Sequence, residues 1–207
     1  MTFPKDFTEL VYLLDKEYHF TDILIVNTNG IPKTGEFLDT ILEEKNPIRI
    51  KYTSNEYNKF VENINNLDKK FDLICLDPYH NYKESISDFR LLYSLLNDNG
   101  ILISHDCYPP SYKYIPIHKP NGKINDLWCG ATYGAFIEFS YDNPKLFYGI
   151  IKNDYGIGII SKKKIKFVKK LIINDKQKQF LNLFKNNKDE EAYKYFIINV
   201  KDIINLI

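Results

Sequence analysis

Two hydrophobic rhythms alternate along the chain. Short, nearly continuous aliphatic runs read as buried strands, and stretches with apolar residues three and four apart read as helices. From Lys5 to Glu17, Phe7, Leu10, Val11, Leu13 and Leu14 recur at near-helical spacing and predict an amphipathic amino-terminal helix. Thr21–Asn27, TDILIVN, reads as a strand that runs out into Asn27-Thr28-Asn29-Gly30. Thr34 can cap a helix reaching Leu42, with Phe37, Leu38, Ile41 and Leu42 on one stripe. Pro47 ends it, Ile48–Tyr52 alternates as a short strand, and Ser54 suits the cap of a helix over Asn55–Ile64.

The stretch from Phe71 to Pro110 organises the rest. Its apolar runs Phe71–Leu76 and Ile101–Ser104 each end in a polar cluster, Asp77-Pro78-Tyr79-His80 and His105-Asp106. Between them a helix is expected with Ile86, Phe89, Leu92, Tyr93 and Leu96 inward, closed by a turn at Asp98-Asn99-Gly100. Strand, helix and strand in this order predict an α/β fold, a mostly parallel sheet with helices on both faces. Ligands in such sheets bind at the carboxyl ends of the strands, where both polar clusters fall. Cys107–Leu127, with Pro109, Pro110, Pro116 and Pro120, reads as a long binding loop or lid. Helical patterning resumes over Trp128–Tyr141. Leu146–Lys152 and Gly156–Ser161 are joined by only Asn153-Asp154-Tyr155, which requires an antiparallel hairpin and hence an antiparallel last strand. The tail, residues 162–207, is mostly helical in pattern, with Phe180, Leu181, Phe184, Tyr193, Phe196 and Ile197 inward.

Composition narrows the function classes. At 207 residues the chain is expected to be one domain over 1–207. A formal net charge of +1 gives no footprint for nucleic acid. Cys75, Cys107 and Cys129 have no metal or disulfide spacing. No signal core precedes the first helix and no run approaches a membrane span, so a cytoplasmic protein is expected. The lysine run from Lys162 reads as a solvated face.

Asp77 and Asp106 end adjacent predicted strands. Their carboxylates suit a divalent metal, with His105 adding a nitrogen, or act as general base for a hydroxyl with His80 or His105 tuning them. The plain alternative is that each Asp caps a turn. Trp128 suits a pocket wall or the core. His19 and His118 carry no assigned role.

The residues FDLICLDPYHNYKESISDF…LLNDNGILISHDC resemble the second half of small class I S-adenosylmethionine-dependent methyltransferases of the subset found with sugar and glycan biosynthesis. Asp77, His80, Tyr82, Asp88, Gly100, His105, Asp106, Pro109 and Pro110 fall on that pattern in order. WCGATYGAFIEF and NDYGIGII resemble later segments of the same subset, so the likeness spans roughly Ser54 to Ile160. It implies a Rossmann-like, seven-stranded sheet and O-methylation of a sugar or glycan-type hydroxyl. Asp77, His80, His105 and Asp106 would be the catalytic group, and Asp77, His105 and Asp106 would hold a divalent metal such as Mg. Tyr79, Trp128 and Tyr133 would meet the substrate. The donor would lie against Asn27, Asn29 and Gly30, where the family's glycine-rich acidic loop is reduced to one glycine and no acid. The chain before Phe71 is also one strand–helix unit short, and a second register would make Leu10–Asp15 the first strand.

Two other functions stay open at this stage. A relative without donor binding would keep the fold as a binding module or turn the pocket to another reaction on a sugar. Asp77-Pro78-Tyr79 also resembles the D-P-P-Y motif of amino-methyltransferases acting on bases, which the neutral charge opposes. The expected partners are a small-molecule or glycan substrate and a second copy in a homodimer, without nucleic acid.

Overall fold

The computed structural model describes residues 4–28, 42–115 and 128–207. Helix α1 (Phe7–Tyr18) starts on Asp6, whose side chain accepts the Glu9 amide. It is followed by β1 (Ile23–Thr28) and β2 (Ile48–Tyr52). The second register is thereby excluded, since Leu10–Asp15 are helical. A one-turn 3-10 segment over Ser54–Glu56 leads into α2 (Tyr57–Asn65), so Ser54 opens the turn and the cap position of the α-helix is Glu56. The helix expected from Thr34 lies outside the described residues, apart from Leu42.

Strand β3 (Phe71–Asp77), α3 (Tyr82–Ser94) and β4 (Leu96–Ser104) form the central unit. Leu96 is buried as expected, but it opens β4 instead of closing the helix. Gly100 lies within that strand, not in a turn. Its Cα faces the Phe71 carbonyl, and a Cβ there would come within 2.8 Å of that oxygen. After the loop come α4 (Thr132–Asp142), β5 (Phe147–Ile151), β6 (Ile157–Ser161) and the two-residue edge β7 (Lys169–Lys170). Helices α5 (Asp175–Lys185) and α6 (Asp189–Ile203) close the chain. The tail is therefore helical only from Asp175, and residues 162–171 run as an irregular strap ending in β7.

The described residues form a seven-stranded sheet in the order β2-β1-β3-β4-β6-β5-β7. Strands β2, β1, β3 and β4 pair in parallel. The hairpin partner β6 inserts antiparallel between β4 and β5, as the short link demanded. Alternation along each strand splits the core. Leu24, Val26, Ile74, Leu76 and Leu102 face α2 to α6, while Ile23, Ile25, Leu73, Cys75, Ile101 and Ile103 face α1 and the strap. Parallel strands covered on both faces read as unbroken aliphatic runs for this reason. Among the described residues no helix is long and apolar enough to cross a membrane.

Candidate active site

Parallel pairing brings the carboxyl ends of β1, β3 and β4 level. Asn27 is in register with Asp77, and the His105 amide extends the β3–β4 ladder to the Leu76 carbonyl at 3.0 Å. Asp77 is thus the last ladder residue of β3. Asp106 follows one residue beyond its neighbour, at a φ of 62°. His80, in the turn from β3 to α3, also takes the left-handed region, at 66°. Positive φ costs a non-glycine residue energy that the surroundings must over-determine. They do. The His80 carbonyl accepts the Ala131 amide at 2.7 Å, and Gly130, itself at φ 58°, presses so close that a Cβ would sit 2.2 Å from that carbonyl. Glycine is required at this contact. The strained turn aims the imidazole back over the strand ends.

The result is a buried cluster. His80 Nε2 stands 2.8 Å from Asp106 Oδ2 and 3.6 Å from Asp77 Oδ1. The shorter approach lies off the ring's N–H direction, so it is an ion pair and not an aligned hydrogen bond. On the other side of Asp106, His105 Nδ1 lies 3.2 Å from the same Oδ2, and its Nε2 lies 3.3 Å from Asp154. Asp154 is fixed in turn by the Phe7 amide at the start of α1, 2.9 Å away. Burial works against charge on His80, but Asp106 and then Asp77 outweigh it and lift the imidazole to about 9. His105 is raised likewise, burial being overcome by Asp106 and Asp154. Asp106 is held well below the usual carboxylate range, because the two imidazoles outweigh its burial. The neighbouring carboxylates thus favour the protonated form of both imidazoles, which suits them to hold Asp106 in place more than to act as bases.

Asp77 differs. It is 4% exposed, and neither carboxylate oxygen has a hydrogen-bond partner among the described residues. A buried carboxylate so placed calls for a ligand group or a cation.

The four residues expected to be catalytic are thus brought together. The expected metal set is not the one formed. Asp77, His80 and Asp106 place one ligand atom each within 4.8 Å of one another, whereas His105 turns its second nitrogen to Asp154. Two carboxylates and one imidazole are suitable donors for a divalent ion, and Asp77's bare oxygens fit that role, but His80 must give up its proton first. Of the residues expected to meet substrate, Trp128 lies beside the cluster, its ring 5.1 Å from His80 and edge-on to it. Tyr79 is half-buried against the larger core. Tyr133 is a correction: it is fully buried among Phe180, Phe184, Tyr193 and Phe196, and belongs to the core. Asn27 is half-buried at the end of β1, and Asn29 and Gly30 lie outside the described residues.

Asp88, matched to the family pattern but given no role, also has a definite place. It is fully buried and accepts the hydroxyls of Tyr52 at 2.5 Å and Tyr57 at 3.0 Å, joining α3 to β2 and α2. Tyr52 is the last residue of β2. The site residue that sequence reasoning missed is Asp154, whose neighbours in the hairpin link gave only a turn signal. The loop after Asp106 is anchored at its described start: Cys107 and Tyr108 donate to Gly156 and Tyr155, and Tyr114 accepts the amides of Cys129 and Gly130.

Residues 10–107, just under half of the chain, match a family model described as a methyltransferase domain. That match supports a methyltransferase-type domain on the mostly parallel, helix-flanked sheet described above. No curated protein matches the sequence. Among solved structures, an S-adenosylhomocysteine-bound methyltransferase from Podospora anserina, PaMTH1, shares 13% identity over 76% of this chain and 78% of its own, with a TM-score of 0.46. An O-methyltransferase from Bacillus cereus, also in complex with S-adenosylhomocysteine, shares 12% over 74% and 80%, TM-score 0.46. TomG from Streptomyces achromogenes, an O-methyltransferase of tomaymycin synthesis in complex with S-adenosylmethionine, shares 11% over 74% and 78%, TM-score 0.48.

Proposed function

We propose that the chain transfers a methyl group from S-adenosylmethionine to a hydroxyl of a sugar or glycan-type small molecule, at the cluster of Asp77, His80, His105 and Asp106. The observation that carries this reading is Asp77, a buried carboxylate whose oxygens accept no hydrogen bond among the described residues, at a strand end of a chain matching a methyltransferase domain. An acceptor hydroxyl supplies the missing hydrogen bond. Asp77 takes its proton as the oxygen attacks the donor's methyl carbon and the carbon–sulfur bond breaks, leaving a methyl ether and S-adenosylhomocysteine. Asp106 serves differently. Its charge is already balanced by His80 and His105, so it orients those rings and leaves Asp77 as the proton acceptor.

Asn27 would stand on the donor's side of the cleft, level with Asp77, and Trp128 on the acceptor's. A divalent metal, where bound, would be held by Asp77, His80 and Asp106 and would lower the pKa of the acceptor hydroxyl.

The test is turnover with S-adenosylmethionine across a panel of sugar hydroxyls. Asp77→Asn keeps size and packing, and should lower turnover by roughly two to four orders of magnitude with donor affinity nearly intact. Turnover equal to that of the native chain would remove Asp77 from this role. Loss of activity on chelation, restored by magnesium, would assign the metal as well.

A further inference from the structure

A second feature lies at the opposite end of the sheet. The strap from Lys162 to Lys170 carries six lysines and no acidic residue, in a chain whose net charge is only +1. Its apolar members turn inward: Ile165, Phe167, Val168 and Leu171 are buried against the α1 face and neighbouring core. Lys162 is structural, donating to the Leu96 carbonyl at 2.7 Å. Lys163, Lys164, Lys166, Lys169 and Lys170 are exposed. Among the described residues none of these five forms an ion pair, although Lys166 and Lys170 lie over the rings of Phe167 and Phe147. Directly after them Ile172 stands 81% exposed. Tyr18, partly exposed at the end of α1, joins this surface by contact between its hydroxyl and the Lys166 amide. Nearby, Lys69 pairs with Asp22 at 2.6 Å, and Glu17 also contacts the Tyr18 hydroxyl.

We propose that the strap is a docking surface for an anionic phospholipid bilayer, with Ile172 and Tyr18 entering the headgroup region. Four to eight clustered lysines attract an acidic leaflet, and an exposed apolar side chain among them gains by entering the interface. Recognition of a nucleic acid fits less well. The strap has no arginine fork for phosphate, its one aromatic residue, Phe167, is buried, and Tyr18 beside it offers a single ring and no series of stacking faces. Topology sets the orientation. The strap follows β6 at its Ser161 end and pairs through β7 with the start of β5, whereas Asp77, Asp106 and Asp154 lie at the other end of these strands. Docking therefore turns the cleft away from the bilayer and leaves it open. This inference does not depend on the reaction proposed above.

The experiment is co-sedimentation of the full chain with vesicles of phosphatidylcholine alone and of phosphatidylcholine mixed with phosphatidylglycerol. The chain should pellet only with the mixed vesicles, and raised salt should release it. Replacing Lys163, Lys164, Lys166, Lys169 and Lys170 with Gln should abolish pelleting, at roughly five-fold per lysine. Replacing the same number elsewhere, Lys59, Lys83, Lys113, Lys188 and Lys194 with Gln, should leave it unchanged. Circular dichroism and a thermal melt check that both variants fold. Ile172→Asn should weaken vesicle binding several-fold without changing retention on polyuridylate. A native chain that stays in the supernatant, or equal losses in the two lysine variants, would overturn the proposal. Tighter retention on polyuridylate than on mixed vesicles, indifferent to Ile172→Asn, would reassign the strap to a polyanion.

Discussion

Asp88 shows at the scale of one residue how burial sets a carboxyl group's chemistry. Burial raises it, the hydroxyls of Tyr52 and Tyr57 lower it by less, and it is pushed up to about 7. A carboxyl whose folded value exceeds its unfolded value near 4 stabilises the fold fully below that value and loses the contribution as pH rises through about 7. Urea unfolding should therefore show the native chain losing on the order of 2 kcal/mol between about pH 5 and about pH 8 that Asp88→Asn does not lose. Identical pH dependence in the two chains would remove Asp88 as the source. At this scale the sequence was partly legible. Asp77, His80, His105 and Asp106 were readable because strand ends in parallel sheets gather polar residues into one cleft. The choice of His80 over His105 beside Asp77 was not, since it depends on a left-handed turn and on a ring orientation fixed by Asp154. Asp154 was hidden because its anchor, the Phe7 amide, is 147 positions away in sequence. Tyr133 was misread because a tyrosine after a loop looks the same whether it faces a pocket or four aromatic rings.

Among the elements, the turn from β3 into α3 matters most to the site. It is pinned from outside by the segment leading into α4, where Gly130 lies against the His80 carbonyl. Gly130→Ala places a Cβ in that contact and in a left-handed conformation at once. It should cost about 1–3 kcal/mol of stability and displace His80 from Asp106. A thermal melt and the His80 imidazole resonance would check this; an unshifted resonance with unchanged stability would show the contact to be slack. The elements themselves were mostly legible, since aliphatic runs separated by helical stripes leave little choice of fold class. The errors fell at junctions. Leu96 continues the helical spacing of Leu92 yet starts β4, because its backbone pairs with Phe71. The strap falls in a tail read as mostly helical, yet its buried Ile165, Val168 and Leu171, three residues apart, belong to an irregular segment laid over a core.

For the whole molecule, the sheet separates two surfaces. One end holds the buried carboxylate–imidazole cluster, and the other holds exposed lysines and Ile172. Strand direction makes this separation, because β6 runs opposite to β4 and carries the chain from Asp154 at the cleft to Lys162 at the far end. The donor side of the cleft was the least legible part. Asn27–Gly30, at the end of β1, hold one glycine and no acid, and Tyr52 at the end of β2 is bonded to Asp88. The account nonetheless requires that the donor bind there. Calorimetric titration of the full chain with S-adenosylmethionine and with S-adenosylhomocysteine tests this most directly. Saturable one-to-one binding of both, retained in Asp77→Asn, is the expected result. No heat of binding from either at millimolar concentration would contradict a methyltransferase and leave the cluster to another reaction or to binding alone.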